Sequence, residues 1–334
     1  MLKLFEIDKE NFKVDLKNLP LVNILLTLLF LGLAVILATR GLDIAKDDEK
    51  YLNHFYFAKY AEIDNFLIYL IEEPLWKLYT SSITLILNPE DAFRFTIFIS
   101  SALFLFSVNR VNIRLFFIIA VVFILHQDFA TQMYFNQLRQ GLAFSLFIFL
   151  TVYSRKPVVG AFLATLIHTS FIFPLMLIIL ILKVHSIKWI IIYALLGIVV
   201  LYLCVDLLGQ LDLGRRTSSY SFEGKFTINF YISTFVRYVP LLYLIQFYGD
   251  KSKYSFWYKL ALSSFIIIVP FTLFYNAAGR LMYYVSAFFL LMILEQHKSL
   301  GGKMGLIYYL LFIIIDLLFF ESSVISDWQL ILGF

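Results

Sequence analysis

Arg139-Gln140 stands at the head of one apolar run, in YFNQLRQGLAFSLFIF, and Arg280 heads another, one turn before Tyr283-Tyr284. Arg237 lies about two turns inside its own run, roughly 9 Å deep at 1.5 Å per residue. Arg40 closes the first run, and Arg215-Arg216 fall in a polar stretch. A guanidinium keeps its charge at any ordinary pH and meets phosphate oxygens through a planar, two-pronged fork. Several of them converging would suit a phosphate-bearing lipid head group, and would neutralise a departing diphosphate without a metal. Two other readings stay open: each arginine snorkels to water, or the set pairs with nearby acids as structural salt bridges. His168, in ATLIHTSF, is the one histidine deep in an apolar run. It is either a hydrogen-bonded core residue sharing a network with Ser170 or a group facing a wet cavity. In the second case an imidazole, with its unperturbed pKa of about 6.5, suits general-base work on a hydroxyl.

Residues 41–73 add carboxylates, Asp47 among them, that could meet sugar hydroxyls, with Tyr51, Phe55, Tyr56 and Tyr60 as stacking surfaces. The alternative for them is a plain solvated face. His54, His126, His185 and His297 form no ligand spacing, and neither HxxxH nor CxxC occurs, so neither a metal nor another cofactor is expected. No glycine-rich phosphate loop is present, which argues against a nucleotide-driven pump.

The elements that must position these groups are membrane helices. Of 334 residues, 61% are hydrophobic and 15% charged, against about 45–50% apolar in a soluble domain. Mean hydropathy is +0.85. Disorder, a disulfide scaffold and a soluble nucleic-acid binder are excluded; the net charge of +4 is dispersed between apolar runs, and single Cys204 lies inside one. A bilayer core of about 30 Å needs roughly 20 apolar residues per helix. The pattern predicts an all-α polytopic transmembrane bundle, a single integral membrane domain over 1–334. Spans fall near 21–39, 93–109, 112–127, 138–153, 188–208, 231–248, 256–275, 280–295 and 304–320, after an N-terminal surface helix within 1–20.

Two further segments fit a simple span badly, for about 9–11 membrane segments in all. Residues 74–87, opened by Glu73-Pro74, suit a re-entrant or interfacial piece; 157–182, interrupted by His168 and Pro174, read as two half-helices or one kinked helix. Loop 40–73 carries four basic and eight acidic residues, and the remaining short loops carry the Lys/Arg excess. By the positive-inside rule this puts the N-terminus in the cytoplasm and loops 41–73 and 209–230 outside, if 74–87 and 157–182 each cross an even number of times. Arg40, Arg139 and Arg280 then share the extracytoplasmic face.

The ordered motifs resemble the EpsG-like, Wzy-type family of bacterial polysaccharide polymerases. Arg40 followed by Asp47, Tyr51 and Phe55 is similar to the family's R…DYxxYxxxF opening, with Asp48 where a tyrosine is usual. Glu73-Pro74, Arg139-Gln140-Gly-Leu-Ala143, His168-Thr-Ser170 and Arg280-Leu-Met-Tyr283-Tyr284 are similar to its later elements. The resemblance implies a GT-C-like, metal-independent membrane glycosyltransferase in the bacterial cytoplasmic membrane. Its substrate would be a polyprenyl-diphosphate-linked oligosaccharide, its surroundings the lipid bilayer, and its partner a chain-length regulator; no nucleic acid is implied. On that reading His168 or Asp47 takes the acceptor proton and Arg280 joins them in catalysis, while Arg40, Tyr51, Glu73, Arg139, Gln140, Ser170, Arg237, Tyr283 and Tyr284 bind substrate. A lipid-linked oligosaccharide flippase, an O-antigen-type ligase and a membrane acyltransferase are the rival classes.

Overall fold

The computed structural model describes residues 20–58 except 43 and 46, 73–112, 115–199 except 127, 185, 187, 194 and 198, 228–250, 255–272, 281–319 and 324–332. In chain order the helices are α1 (Pro20–Ala38), α2 (Asp48–Tyr56), α3 (Pro74–Ile83), α4 (Pro89–Val111) and α5 (Phe116–Leu125). A π-helix (Asp128–Asn136) follows, then α6 (Leu138–Val152), α7 (Pro157–Ile167), a 3-10 turn (Thr169–Phe171) and α8 (Ile172–Lys183). The series closes with α9 (Ile228–Tyr248), α10 (Phe256–Phe271), α11 (Met282–Glu295), α12 (Leu300–Phe319) and α13 (Val324–Leu332). No strand occurs among the described residues. The protein is an all-α polytopic bundle.

Two compact units are present: Met1–Leu175 with Ile313–Phe334, and Met176–Phe312. In the first, α4 is the central element, packed against α1, α2 and α6, and α6 packs in turn on α7. The start of α4 is well specified: Asn88 accepts the Asp91 N–H (2.8 Å), Pro89 takes a first-turn position, and Glu90 and Asp91 face the positive end of the helix dipole. Its buried hydroxyls are satisfied locally, Ser100 Oγ on the Thr96 carbonyl and Ser101 Oγ on the Ile97 carbonyl (2.8 Å). Small residues of this kind let neighbouring helices approach closely. Phe104 forms the aromatic hub of the unit, its ring 5.5–6.1 Å from Phe123, Phe129, Tyr134 and Phe144. Trp328 of α13 donates its indole N–H to the Ile124 carbonyl (2.8 Å).

In the second unit α11 packs on α10 and α9. It is buried from Tyr284 through Leu294, as expected of a helix apolar all round. Its 14 residues reach about 21 Å, so it is a core helix shorter than the bilayer. Tyr238 Oη and Ser286 Oγ meet across α9 and α11 at 2.5 Å.

Pro89–Val111, Ile228–Tyr248 and Leu300–Leu318 are long and apolar enough to cross a membrane, and shorter apolar helices accompany them. Exposed Ile24, Leu25 and Leu28 on α1, and Ile232, Phe235, Val236 and Val239 on α9, form faces that only lipid or further protein would cover.

The run at 157–182 does break, and at His168, whose extended backbone (φ −145°, ψ 114°) separates α7 from the 3-10 turn and α8. At 74–87 the helix α3 is ten residues long, about 15 Å, too short to cross. The segment expected to span 112–127 does not end there. It bends by 60° after α5 and continues as the π-helix to Asn136; Asp128, Thr131, Gln132 and Asn136 lower the hydropathy there, so the stretch reads in sequence as a break between spans. Loop 41–73 contains α2, and the end of 209–230 already belongs to α9. The 1–19 segment, Cys204, Arg215-Arg216 and Tyr60 lie outside the described residues.

Candidate active site

Arg40 leaves the end of α1 and is 2% exposed. Its Nη1 and Nη2 each donate to Asp48, to Oδ2 and Oδ1, at 2.6 Å. Nη1 also donates to the Gly41 carbonyl (2.8 Å), and Nη2 to the Phe135 carbonyl at the end of the π-helix (3.1 Å). The guanidinium lies 4.5 Å from the centre of the Phe135 ring. Asp48, 1% exposed, is held further by the Ala45 N–H (2.9 Å). Arg94 of α4 donates to the carbonyls of Ala38 (3.0 Å) and Arg40 (2.7 Å), filling orphan acceptors at the end of α1. Such a fork-to-fork pair, sealed from water, needs every lone pair satisfied to be tolerated, and here nearly all are. It pins α1, α2 and the π-helix together.

The second pair is Glu73 with Arg139. Glu73 is the N-cap of α3, directly before Pro74, and its backbone is left-handed (φ 63°, ψ 61°). This conformation is costly for a residue with a Cβ and is characteristic of functional sites. Its carboxylate is 3% exposed and receives Arg139 Nη1 on Oε2. Oε1 accepts the Thr169 N–H (3.3 Å) and lies 4.0 Å from His168 Nδ1. Arg139 sits in the first turn of α6, where the dipole is positive and the N-cap Gln137 side chain does not cap the helix. A cation at that end is unfavourable unless an anion joins it, and Glu73 is that anion. The Arg139 Nε is buried without a hydrogen-bond partner.

Tyr51 completes the floor. The Arg139 guanidinium lies 5.7 Å from its ring centre. Burial pushes the phenol above its usual pKa, Arg139 opposes this, and the Asp47 charge adds to it. The phenol therefore stays protonated through the physiological range.

His168 is 23% exposed. Its Nδ1 accepts the Ser170 N–H (3.2 Å) and contacts Ser170 Oγ at 2.8 Å. Because a backbone N–H only donates, Nδ1 is assigned as the unprotonated nitrogen and the ring proton sits on Nε2.

The fold thus gathers Arg40, Tyr51, Glu73, Arg139, His168 and Ser170 into one unit from helices far apart in sequence. Gln140 is buried beside Arg139, and Asp47 stands half-exposed at the head of α2. Tyr51 and Phe55 are not open stacking faces: at 5% and 0% exposure they pack with Trp76 and Phe93, while Tyr56 points outward. Arg237, Tyr283 and Tyr284 belong to the other unit. The Arg237 guanidinium lies 4.6 Å from the Phe312 ring centre, Tyr284 is fully buried, and Tyr283 is half-buried. Arg280 lies outside the described residues.

Asp48, Arg94, Thr169 and the Phe135 carbonyl were not anticipated from sequence. Asp48 carried a readable signal, since it shares the i, i+3, i+7 face of Tyr51 and Phe55. The others depend on contacts between distant segments. Among the described residues no three His, Cys, Asp or Glu side chains group as a metal site.

The model of the EpsG family matches residues 23–332, nearly the whole chain. No curated protein and no solved structure matches.

Proposed function

This chain belongs to the EpsG family, and we propose that it polymerises polyprenyl-diphosphate-linked oligosaccharide repeat units on the extracytoplasmic face of the bacterial cytoplasmic membrane. Family membership supports a polysaccharide-polymerase-like role in general. The observation that carries the finer reading is the Glu73–Arg139 pair beside His168-Ser170: a part-buried cation, its buried counter-charge and a neutral imidazole at the break of one helix and the head of another.

The reaction is a single displacement at the anomeric carbon. The acceptor hydroxyl oxygen forms the new C–O bond, and the bond from that carbon to the diphosphate breaks. The departing lipid diphosphate takes the electron pair and is stabilised by Arg139 at the positive end of α6. The hydroxyl proton passes to Ser170 Oγ as the Ser170 proton moves to His168 Nδ1. Glu73 Oε1, 4.0 Å away, stabilises the imidazolium that results. Asp47 is the alternative acceptor for that proton. Inversion at the anomeric carbon follows. Arg40 acts as a positioning residue, holding α2 and hence Tyr51 under Arg139. Gln140 keeps the substrate-binding role that the resemblance implies.

The test is incubation of purified protein with a lipid-diphosphate-linked repeat unit, products being resolved on a gel. A ladder is expected; His168→Ala abolishes it, and Arg139→Lys, which keeps the charge but loses the fork, slows it about 10²-fold. Ladders unaffected by both substitutions would falsify the assignment. Movement of labelled lipid across a vesicle with no ladder would make the protein a transporter.

A further inference from the structure

The two faces of α2 do different things. Asp48, Tyr51 and Phe55 are buried toward α4 and Trp76, while Lys50, His54 and Phe57 follow the opposite stripe at i, i+4 and i+7. That outer stripe, together with Asn53 and Asp47, faces Lys77 of α3 across a recess of about 680 Å³. A volume of this size lies within the roughly 300–1,000 Å³ of small-molecule sites.

The recess adjoins the catalytic network on both walls. Asp47 is one turn before Tyr51, its carbonyl accepting the Tyr51 N–H (3.0 Å), and Lys77 is one turn after Glu73, its N–H donating to the Glu73 carbonyl (3.2 Å). One turn advances about 5–6 Å, so a ligand in the recess begins within a sugar's length of the Glu73–Arg139 pair.

The lining also selects a ligand class. Lys50 and Lys77 are balanced by Asp47 and Glu49, so the recess has no net charge with which to trap an anion. An acyl chain would displace water from these polar groups and offer them no hydrogen bond in return. A polyol suits them, because each hydroxyl both donates and accepts: lysines donate, carboxylates accept, and the Asn53 amide does both. The Phe57 ring is 64% exposed, and the His54 ring is fixed edge-on to Trp76 at 6.2 Å. Both offer flat surfaces to the C–H face of a pyranose.

We propose that the recess between α2 and α3 is a glycan subsite, holding the sugar next to the bond made or broken at Glu73, Arg139 and His168. It deepens, and rests on, the polymerase reading above. The sugar belongs either to the incoming acceptor unit or to the growing donor chain, and the test separates them.

The repeat-unit oligosaccharide, released from its lipid diphosphate by mild acid, is titrated onto the full chain in lipid nanodiscs. Asn53→Ala and Phe57→Ala, both at exposed positions that leave the core intact, are each expected to weaken binding about tenfold. Absence of binding by the unsubstituted protein, or equal binding by all three, overturns the subsite. In the ladder assay the same substitutions are expected to raise KM and leave kcat near its original value. A rise in KM for the single-unit acceptor places the acceptor glycan in the recess, and a rise for a preformed lipid-linked oligomer places the donor there. No rise for either overturns the proposal. Should the unsubstituted protein bind the oligosaccharide but build no ladder, the polymerase reading falls while the binding measurement still decides the subsite.

Discussion

Asp47 and Asp48 are adjacent carboxylates in unlike surroundings. The first is half-exposed; the second is buried in a two-pronged pair with Arg40. Asp48→Asn leaves an uncompensated guanidinium in the interior, which typically costs about 3–5 kcal/mol. Asp47→Asn, at the surface, should stay within about 0.5 kcal/mol. Melting temperatures in detergent compare them directly, and equal losses would contradict the pairing. Glu73 offers a second residue-scale test, because its φ of 63° is one that glycine adopts freely. Glu73→Gly and Glu73→Ala both remove the carboxylate, yet the glycine variant should be the more stable by about 1 kcal/mol. The reverse order would show that the left-handed backbone is not held. Sequence alone marked Glu73 through the proline that follows it. It did not identify Arg139, 66 positions away, as its partner, because pairing at that range depends on how helices pack.

At the scale of elements, the site depends on the π-helix lying close against the head of α6. Gly141 makes this approach feasible: a Cβ there would stand 2.6 Å from the Met133 carbonyl oxygen and 3.1 Å from the Tyr134 ring. Gly141→Ala should therefore destabilise the protein by about 1–3 kcal/mol and reduce activity, since Arg139 lies on the same turn. Gly32 of α1, with nothing within 4 Å of its notional Cβ, is the control. There alanine should be neutral or stabilising by about 0.5–1 kcal/mol. Parallel thermal melts check both, and a harmless Gly141→Ala would mean that the two segments do not approach so closely. The break at His168 was legible in advance, because a polar His-Thr-Ser interrupts an apolar run. The π-helix was not, because Asp128, Thr131, Gln132 and Asn136 make its sequence read as a polar break between two apolar runs.

At the scale of the molecule, burial varies sharply among the long helices. The apolar window of α4 is 61% buried and that of α9 only 22%. A helix so little covered by its own chain is expected to meet lipid along most of its length. Val239, 43% exposed on α9, marks such a face. Val239→Lys should oppose insertion by roughly 2.5–3.5 kcal/mol and lower the yield in the membrane fraction, whereas Val239→Leu should not. Equal yields would mean that this face is covered by protein rather than lipid.

The amino-acid sequence by itself determined the all-α membrane class, most helix positions, the break at His168 and the order of the charged elements. These follow from hydropathy and local backbone preference, which are properties of a segment and its solvent. Tertiary structure alone decided that Asp48 rather than Asp47 holds Arg40, that Glu73 meets Arg139 and Thr169, and that the outer rather than inner face of α2 lines the recess. Those outcomes rest on which face of one helix packs on another, and a shift of one residue, about 100° around a helix, would change them while leaving the hydropathy pattern intact.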